Sequence, residues 1–276
     1  MNIKKKVLVF YPPSKLYQRG EDRSQGNVED SSATTMRAPN DLGYASATLR
    51  DKNYEVKLKD YQSENLKFSD LKTDFETFKP DVIFVSITNA TIYDDLLIID
   101  ELLGGNTKTT VIIKGALFFN PDDAMLKLLP LKNVDYLVGG ESDFMLAELI
   151  ETHFEKQENL KNIRGISFKK NGEWIKTDFS TWENDLDSLV FPDRSEIKNK
   201  LYVRPDTGEA QATIVTSRGC PSKCIFCLTP TISGTKLRLR SPENIHEEIV
   251  NCYEKHNIRN FFFRSDTFTI DRRWVE

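Results

Sequence analysis

Residues Val82–Ile87 read VIFVSI, directly after Pro80-Asp81. The run is rich in β-branched residues, lacks polar–apolar alternation and is too short for a helix. Those features predict a strand buried on both faces, the kind found in parallel sheets. Working outward, Val7–Tyr11 and Tyr54–Leu58 precede it as similar apolar runs, and Val111–Ile113 and Asp135–Val138 follow it. Segments of helical period separate them: Leu42–Lys52, then Phe68, Leu71, Phe75 and Phe78, then Tyr93–Leu103, Asp122–Leu129 and Asp143–Phe154. Pro80 and Pro130 stop two of these helices and Pro121 starts one. The alternation predicts an α/β fold over residues 1–156: a Rossmann-like (flavodoxin-like) doubly wound parallel sheet.

The rhythm breaks twice. Pro12 to Asn40 is polar, carries Pro12-Pro13 and has no helical period. So long a loop is unusual unless functional, and it leaves the carboxyl end of the first strand, where open α/β sheets bind ligands. Residues 157–209 form the second break. Gly165–Phe168 and Trp174–Thr177 flank Asn171-Gly172, a hairpin signal, and a polar, Pro-interrupted stretch follows that reads as a linker. From 210 to 276 the α/β pattern resumes, with strand Thr213–Thr216, helix Pro242–Lys255 and strand Asn260–Arg264.

The chain has 276 residues, 38 Lys+Arg against 42 Asp+Glu, and a formal net charge of −4. That balance carries no nucleic-acid or membrane footprint. Ten basic residues face seven acidic ones from Thr213 onward, an excess that solvated helix faces explain as well as an anionic cofactor does. No apolar run reaches the ~20 residues of a membrane span, and the start, MNIKKKVLVFY, lacks a small-residue cleavage site. A cytoplasmic protein is expected.

All four cysteines lie from position 220 onward. SRGCPSKCIFC (217–227) sets Cys220, Cys224 and Cys227 in CxxxCxxC spacing just after a strand. Gly219 and Pro221 flank the first thiol, which argues for a loop over a helical stripe of buried cysteines. Structural zinc needs four ligands, and the candidates for a fourth, Cys252, His246 and His256, sit unpaired on the next helix. Three thiolates in one short loop suit a cubane iron–sulfur cluster with one iron left open.

With Phe226 just before the last cysteine, the motif resembles the signature of the radical S-adenosylmethionine enzymes. The flanking TPTISGTKLRLRSPENIHEEI and FFFRSDTFTIDRRWVE agree. So do DLGYASATLRDKNYEV, PDVIFVSIT, VIIKGALFFNPDDAML and DYLVGGESDFMLAELI, which resemble the branch with a cobalamin-binding domain. The resemblance implies that residues 210–276 are the first units of a (β/α) partial barrel, incomplete within this chain. It implies that Cys220, Cys224 and Cys227 ligate a [4Fe–4S] cluster whose open iron chelates S-adenosyl-L-methionine. Phe226 would lie near the adenine, and Arg264, Ser265 and Asp266 would line the cofactor pocket. By side-chain type, core packing explains Phe226 equally well, and a turn or helix cap explains Asp266. Cys252, among apolar helix residues, is expected to be an inert buried thiol.

The same resemblance implies cobalamin at the carboxyl edge of the first sheet. The candidate contacts are Ser86, Thr88, Asn89, Gly115, Gly139, Gly140 and Glu141, although strand-to-helix turns favour small residues anyway. The three histidines are His153, His246 and His256, so the first loop offers none as a lower cobalt ligand. Any cobalamin is expected base-off, without a His lower ligand. The implied activity is reductive cleavage of S-adenosylmethionine to a 5′-deoxyadenosyl radical, followed by methyl transfer to, or rearrangement of, an unidentified substrate. The implied redox partner is an electron donor such as flavodoxin or ferredoxin. Two readings compete with it: a non-catalytic cofactor-binding fragment, and a radical enzyme whose Rossmann-like domain holds no cobalamin.

Overall fold

The computed structural model describes residues 4–17, 36–105, 108–179 and 182–276. Of the long loop after the first strand, 18–35 lie outside the described residues. Strands β1 (Lys6–Tyr11), β2 (Glu55–Asp60), β3 (Val82–Ser86), β4 (Thr110–Lys114) and β5 (Tyr136–Val138) form a parallel array in the order β2-β1-β3-β4-β5. Helices α1 (Asn40–Asp51), α2 (Phe68–Phe78), α3 (Ile92–Leu103), α4 (Asp123–Leu128) and α5 (Ser142–Glu155) connect and cover them.

β1 shows why the sheet is wound on both faces. Val7, Val9 and Tyr11 point into one core, with Leu42, Ala45 and Leu49 of α1 and Leu146 and Ile150 of α5. Leu8 and Phe10 point into the other, with Leu71 and Phe75 of α2 and Leu96 and Ile99 of α3. A strand with a core on each side has no polar face, hence the unalternated sequence.

The hairpin does more than bridge two parts. Strands β6 (Ile166–Lys170) and β7 (Glu173–Lys176) join the sheet beyond β5, with β6 antiparallel to it and Tyr136 opposite Phe168. Asn171 and Gly172 turn the hairpin at φ 54° and 83°, as an Asn-Gly type I′ turn requires. Without β6, β5 would be an open edge. The linker after it is a strap laid along α1 and β2. The Asp193 amide donates to Gly43 O (2.9 Å), the Ser46 hydroxyl to Asp193 Oδ2 (2.9 Å), and Tyr202 OH to Asp60 Oδ2 (2.7 Å).

The carboxyl-terminal part is smaller. Strand β8 (Gln211–Val215) pairs in parallel with the last strand of the chain, across helix α7 (Pro242–His256). Between β8 and α7 the chain makes an excursion. It leaves through β9 (Ser217–Arg218), runs through the cysteine loop and α6 (Thr229–Ile232), and returns through β10 (Arg238–Leu239), which is antiparallel to β9. Ser241 caps α7 by accepting from the Asn244 amide (3.1 Å), with Pro242 following it. β11 (Asn260–Arg264) and α8 (Arg272–Val275) complete the chain. No helix among the described residues is long and apolar enough to cross a membrane.

At the amino edge of the sheet, both ring nitrogens of His153 are hydrogen-bonded, Nδ1 to Tyr136 OH (2.7 Å) and Nε2 to Thr110 Oγ1 (2.9 Å). Burial lowers its pKa from the ordinary 6.5, with nearby Asp135 opposing. The unfolded chain therefore takes up this proton first as pH falls, and the stability that depends on neutral His153 drains away below about pH 6.5. Between pH 7.5 and 5.5 the urea midpoint should fall less in His153→Gln than in the unaltered chain; equal falls would contradict this.

Candidate functional site

The cysteine loop hangs from its own two-stranded base. Gly219, at φ 85°, follows β9 where any Cβ would run into the Lys236 carbonyl oxygen. Asp266, just beyond β11, accepts from the Gly219 amide (2.9 Å) and from the Thr229 hydroxyl (3.3 Å), so it ties together both sides of the loop. Cys220 is 9% exposed, its sulfur 3.1 Å from Thr267 Oγ1. Hydrogen bonds from Thr267 first, then from Ser222, lower its thiol pKa. Cys224 is exposed and Cys227 intermediate, and the Cys227 amide donates to the Cys224 carbonyl (3.1 Å). Ile225 is fully exposed and Phe226 is 87% exposed, so neither packs into a core.

The three thiols thus share one loop, but their present spacing is not that of a closed site. Among the described residues no three His, Cys, Asp or Glu side chains are gathered closely enough to hold a metal ion. The donor set nonetheless fits an iron–sulfur cluster: thiols alone, one of them stabilised as thiolate, on a loop whose base is fixed. His246 and Cys252 lie on α7, and Cys252 is fully buried among Ala212, Ile214, Ile245 and Ile258. Burial pushes its thiol up to about 11, which makes it a core residue with little thiolate character.

Arg264, Ser265 and Asp266 stand together at the carboxyl end of β11, beside the loop. The Ser265 hydroxyl bonds that of Ser217, and its oxygen also accepts from the Thr267 amide (3.1 Å). Asp266 therefore has a structural task in this loop.

The expected cobalamin contacts divide. Ser86 is buried and donates to Asp41 Oδ2 (2.7 Å). Thr88 is also buried. Glu141 is bonded on both oxygens by Arg238, at 2.8 and 2.6 Å. At Gly139 a Cβ would collide with the Phe118 carbonyl and the Phe119 amide, so protein backbone alone explains the glycine. Gly139→Ala should cost about 1–3 kcal/mol by urea unfolding, as overpacking does; an unchanged midpoint would contradict the packing argument. Asn89 is exposed, a Cβ on Gly140 would meet only Gly165 Cα at 3.9 Å, and one on Gly115 would press on the Ile87 side chain at 3.2 Å. A cleft of about 380 Å³ is lined by Phe119 and Asn120, by Asp178 and Phe179 of the strap, and by Thr231 of α6. An open edge with small and amide side chains fits a large ligand laid across it.

Several buried charges gave no sign of their role in the sequence. Asp41 accepts from Tyr11 and Ser86 and lies 3.8 Å from Lys114 Nζ. Arg218 pairs with Asp143 and lies 3.6 Å from Glu141. Arg194, 2% exposed, donates to Glu248 (2.8 Å), which also accepts from Arg240 (2.6 Å).

No family model matches the sequence. An uncharacterized methyltransferase of Pyrococcus horikoshii is 28% identical over 240 residues, which cover 87% of this chain and 51% of that protein. The radical S-adenosylmethionine methyltransferase TsrM of Kitasatospora setae, solved with cobalamin and a [4Fe–4S] cluster, superimposes over 99% of this chain and 51% of its own, with a TM-score of 0.66 at 16% identity. The cobalamin-dependent S-adenosylmethionine radical enzyme OxsB matches 96% of this chain and 34% of its own, with a TM-score of 0.69 at 18% identity. The chain spans about half the length of the curated methyltransferase it matches. The chain is thus similar in sequence to the Pyrococcus horikoshii methyltransferase and shares its fold with TsrM and OxsB.

Proposed function

We propose that Cys220, Cys224 and Cys227 hold a [4Fe–4S] cluster that binds S-adenosylmethionine, and that the chain serves cobalamin-dependent methyl transfer. The observation that carries this is a loop bearing three thiols on a fixed base at the carboxyl ends of β8 and β11, facing the carboxyl edge of the Rossmann-like sheet. When bound, the reduced cluster supplies the electron that cleaves the sulfonium to a 5′-deoxyadenosyl radical, and the corrinoid supplies a transferable methyl group.

The chain's own residues do simpler things. Asp266 and Gly219 set the loop's base, and Thr267 with Ser222 favours the Cys220 thiolate. Phe226 offers an exposed ring to a planar group such as adenine. Asn89, Gly115 and Gly140 border the edge where the corrinoid would lie, and the sequence after β1 up to Asn40 contains no histidine. A flavodoxin- or ferredoxin-like donor would approach the exposed side of the loop.

Anaerobic reconstitution should give about four irons per chain and, with dithionite and S-adenosylmethionine, 5′-deoxyadenosine. Hydroxocobalamin should bind with a base-off spectrum. Iron uptake without corrinoid binding would reduce the reading to a radical enzyme with an empty Rossmann-like domain. Absence of both would leave neither cofactor role standing.

A further inference from the structure

The loop that carries the thiols is fastened to the Rossmann-like part through its two legs, and both fastenings end on one helix terminus. Arg218, on the outgoing leg, ion-pairs with Asp143 in the first turn of α5 and lies 3.6 Å from Glu141. Arg238, on the returning leg, makes a two-pronged contact with Glu141, the residue before that helix, at 2.6 and 2.8 Å. Arg238 also donates to Ser233 O (2.8 Å) and Glu183 O (2.6 Å), which ties in the end of α6 and the strap. Beyond Asp143 the charges continue to alternate in sign through Lys114, at the carboxyl end of β4, to Asp41 in the first turn of α1. Three carboxylates thus face three cations, all at most 13% exposed at their side chains.

Such groups are costly to bury singly and are retained in mutually neutral sets. Carboxylates at the amino end of a helix also gain from its dipole. Burial alone would raise the Asp143 carboxyl, yet Arg218 and then Lys114 hold it below its usual range. About 50 Å³ of space lies where Asp41, Lys114, Glu141, Asp143 and Arg218 meet Ser217, Arg264 and Asp266, so the charges stand close together at the junction and beside the end of β11.

We infer that Asp143 and Glu141 are positioning residues for the cysteine loop, acting across the junction through Arg218 and Arg238. Gly219 and Cys220 follow Arg218 directly, so a loosened Arg218 frees the base of the loop. The Rossmann-like part would then be needed to shape the cluster site even before any corrinoid binds. This last consequence rests on the proposed function; the fastening itself does not.

The test uses the metal-free, full chain and the alkylation rate of its thiols. Trypsin releases Cys220 on the Gly219–Lys223 peptide and Cys252 on Ser241–Lys255, so mass spectrometry reads the two separately. Cys252, fully buried in the carboxyl-terminal core, reports on general unfolding. Removing one partner of a buried pair should open the site locally, so Asp143→Asn should speed Cys220 alkylation by at least about tenfold with Cys252 still protected. Glu141→Gln should act in the same direction through Arg238. Equal Cys220 rates in the variants and the unaltered chain would overturn the inference. So would loss of Cys252 protection in both variants, because the charges would then serve general stability. Iron uptake should fall alongside; if the unaltered chain takes up no iron, the proposed function fails while the thiol rates still decide the fastening.

Discussion

Cys220→Ala, Cys224→Ala and Cys227→Ala should each abolish the visible absorption of the anaerobically reconstituted chain, and Cys252→Ala should leave it intact. Three thiolates are the fewest that hold a cubane with one open iron, so no member of the set is spare. The structure separates the fourth thiol on physical grounds. Cys252 is buried in an apolar core with its pKa pushed up to about 11, whereas hydrogen bonds lower that of Cys220. A zinc site completed from α7 would give the reverse result for Cys252, and the bound metal would be colourless. Retention of the brown cluster in Cys224→Ala would remove the assignment.

Glu248→Gln should produce the largest loss of stability. The Glu248 side chain is fully buried and receives Arg194 on one oxygen and Arg240 on the other. Each guanidinium also reaches strand carbonyls, Arg194 to Thr213 O (3.3 Å) and Arg240 to Val215 O (2.9 Å). The trio therefore joins the strap, α7 and β8. Removing its one negative charge leaves two buried cations facing each other, at a cost of about 3–5 kcal/mol by analogy with other broken buried pairs. The urea midpoint of the transition reported by Trp274, which packs against this part of the core, should fall accordingly. A shift within the scatter of surface substitutions, about ±0.5 kcal/mol, would show that water or rearrangement satisfies the arginines.

Much of the first sheet was legible because its strands are buried on both faces. VIFVSI carries the signal of a central parallel strand in its composition alone, and Phe68, Leu71, Phe75 and Phe78 mark the covering face of α2. Asn171-Gly172 announced its turn for equally local reasons. That the hairpin pairs with β5 had no local signature, because either edge of a hairpin can pair with another strand. Arg194 was unreadable for the same kind of reason: its partner Glu248 is distant in sequence, and a lone arginine in a polar stretch reads as solvated. Gly139 was legible as a constrained position but not as to its cause, which is the Phe118 carbonyl. The cysteine spacing identified the loop. Nothing local in the sequence links Arg218, two residues before Cys220, to Asp143.

The central claim is that this loop holds a cluster with an iron open to S-adenosylmethionine. Electron paramagnetic resonance of the reconstituted, dithionite-reduced chain tests it most directly. The account predicts a [4Fe–4S]⁺ signal, lost in Cys220→Ala, whose g-values shift when S-adenosylmethionine is added. A cluster signal that S-adenosylmethionine leaves unchanged, or no iron–sulfur signal in a folded chain, would contradict it.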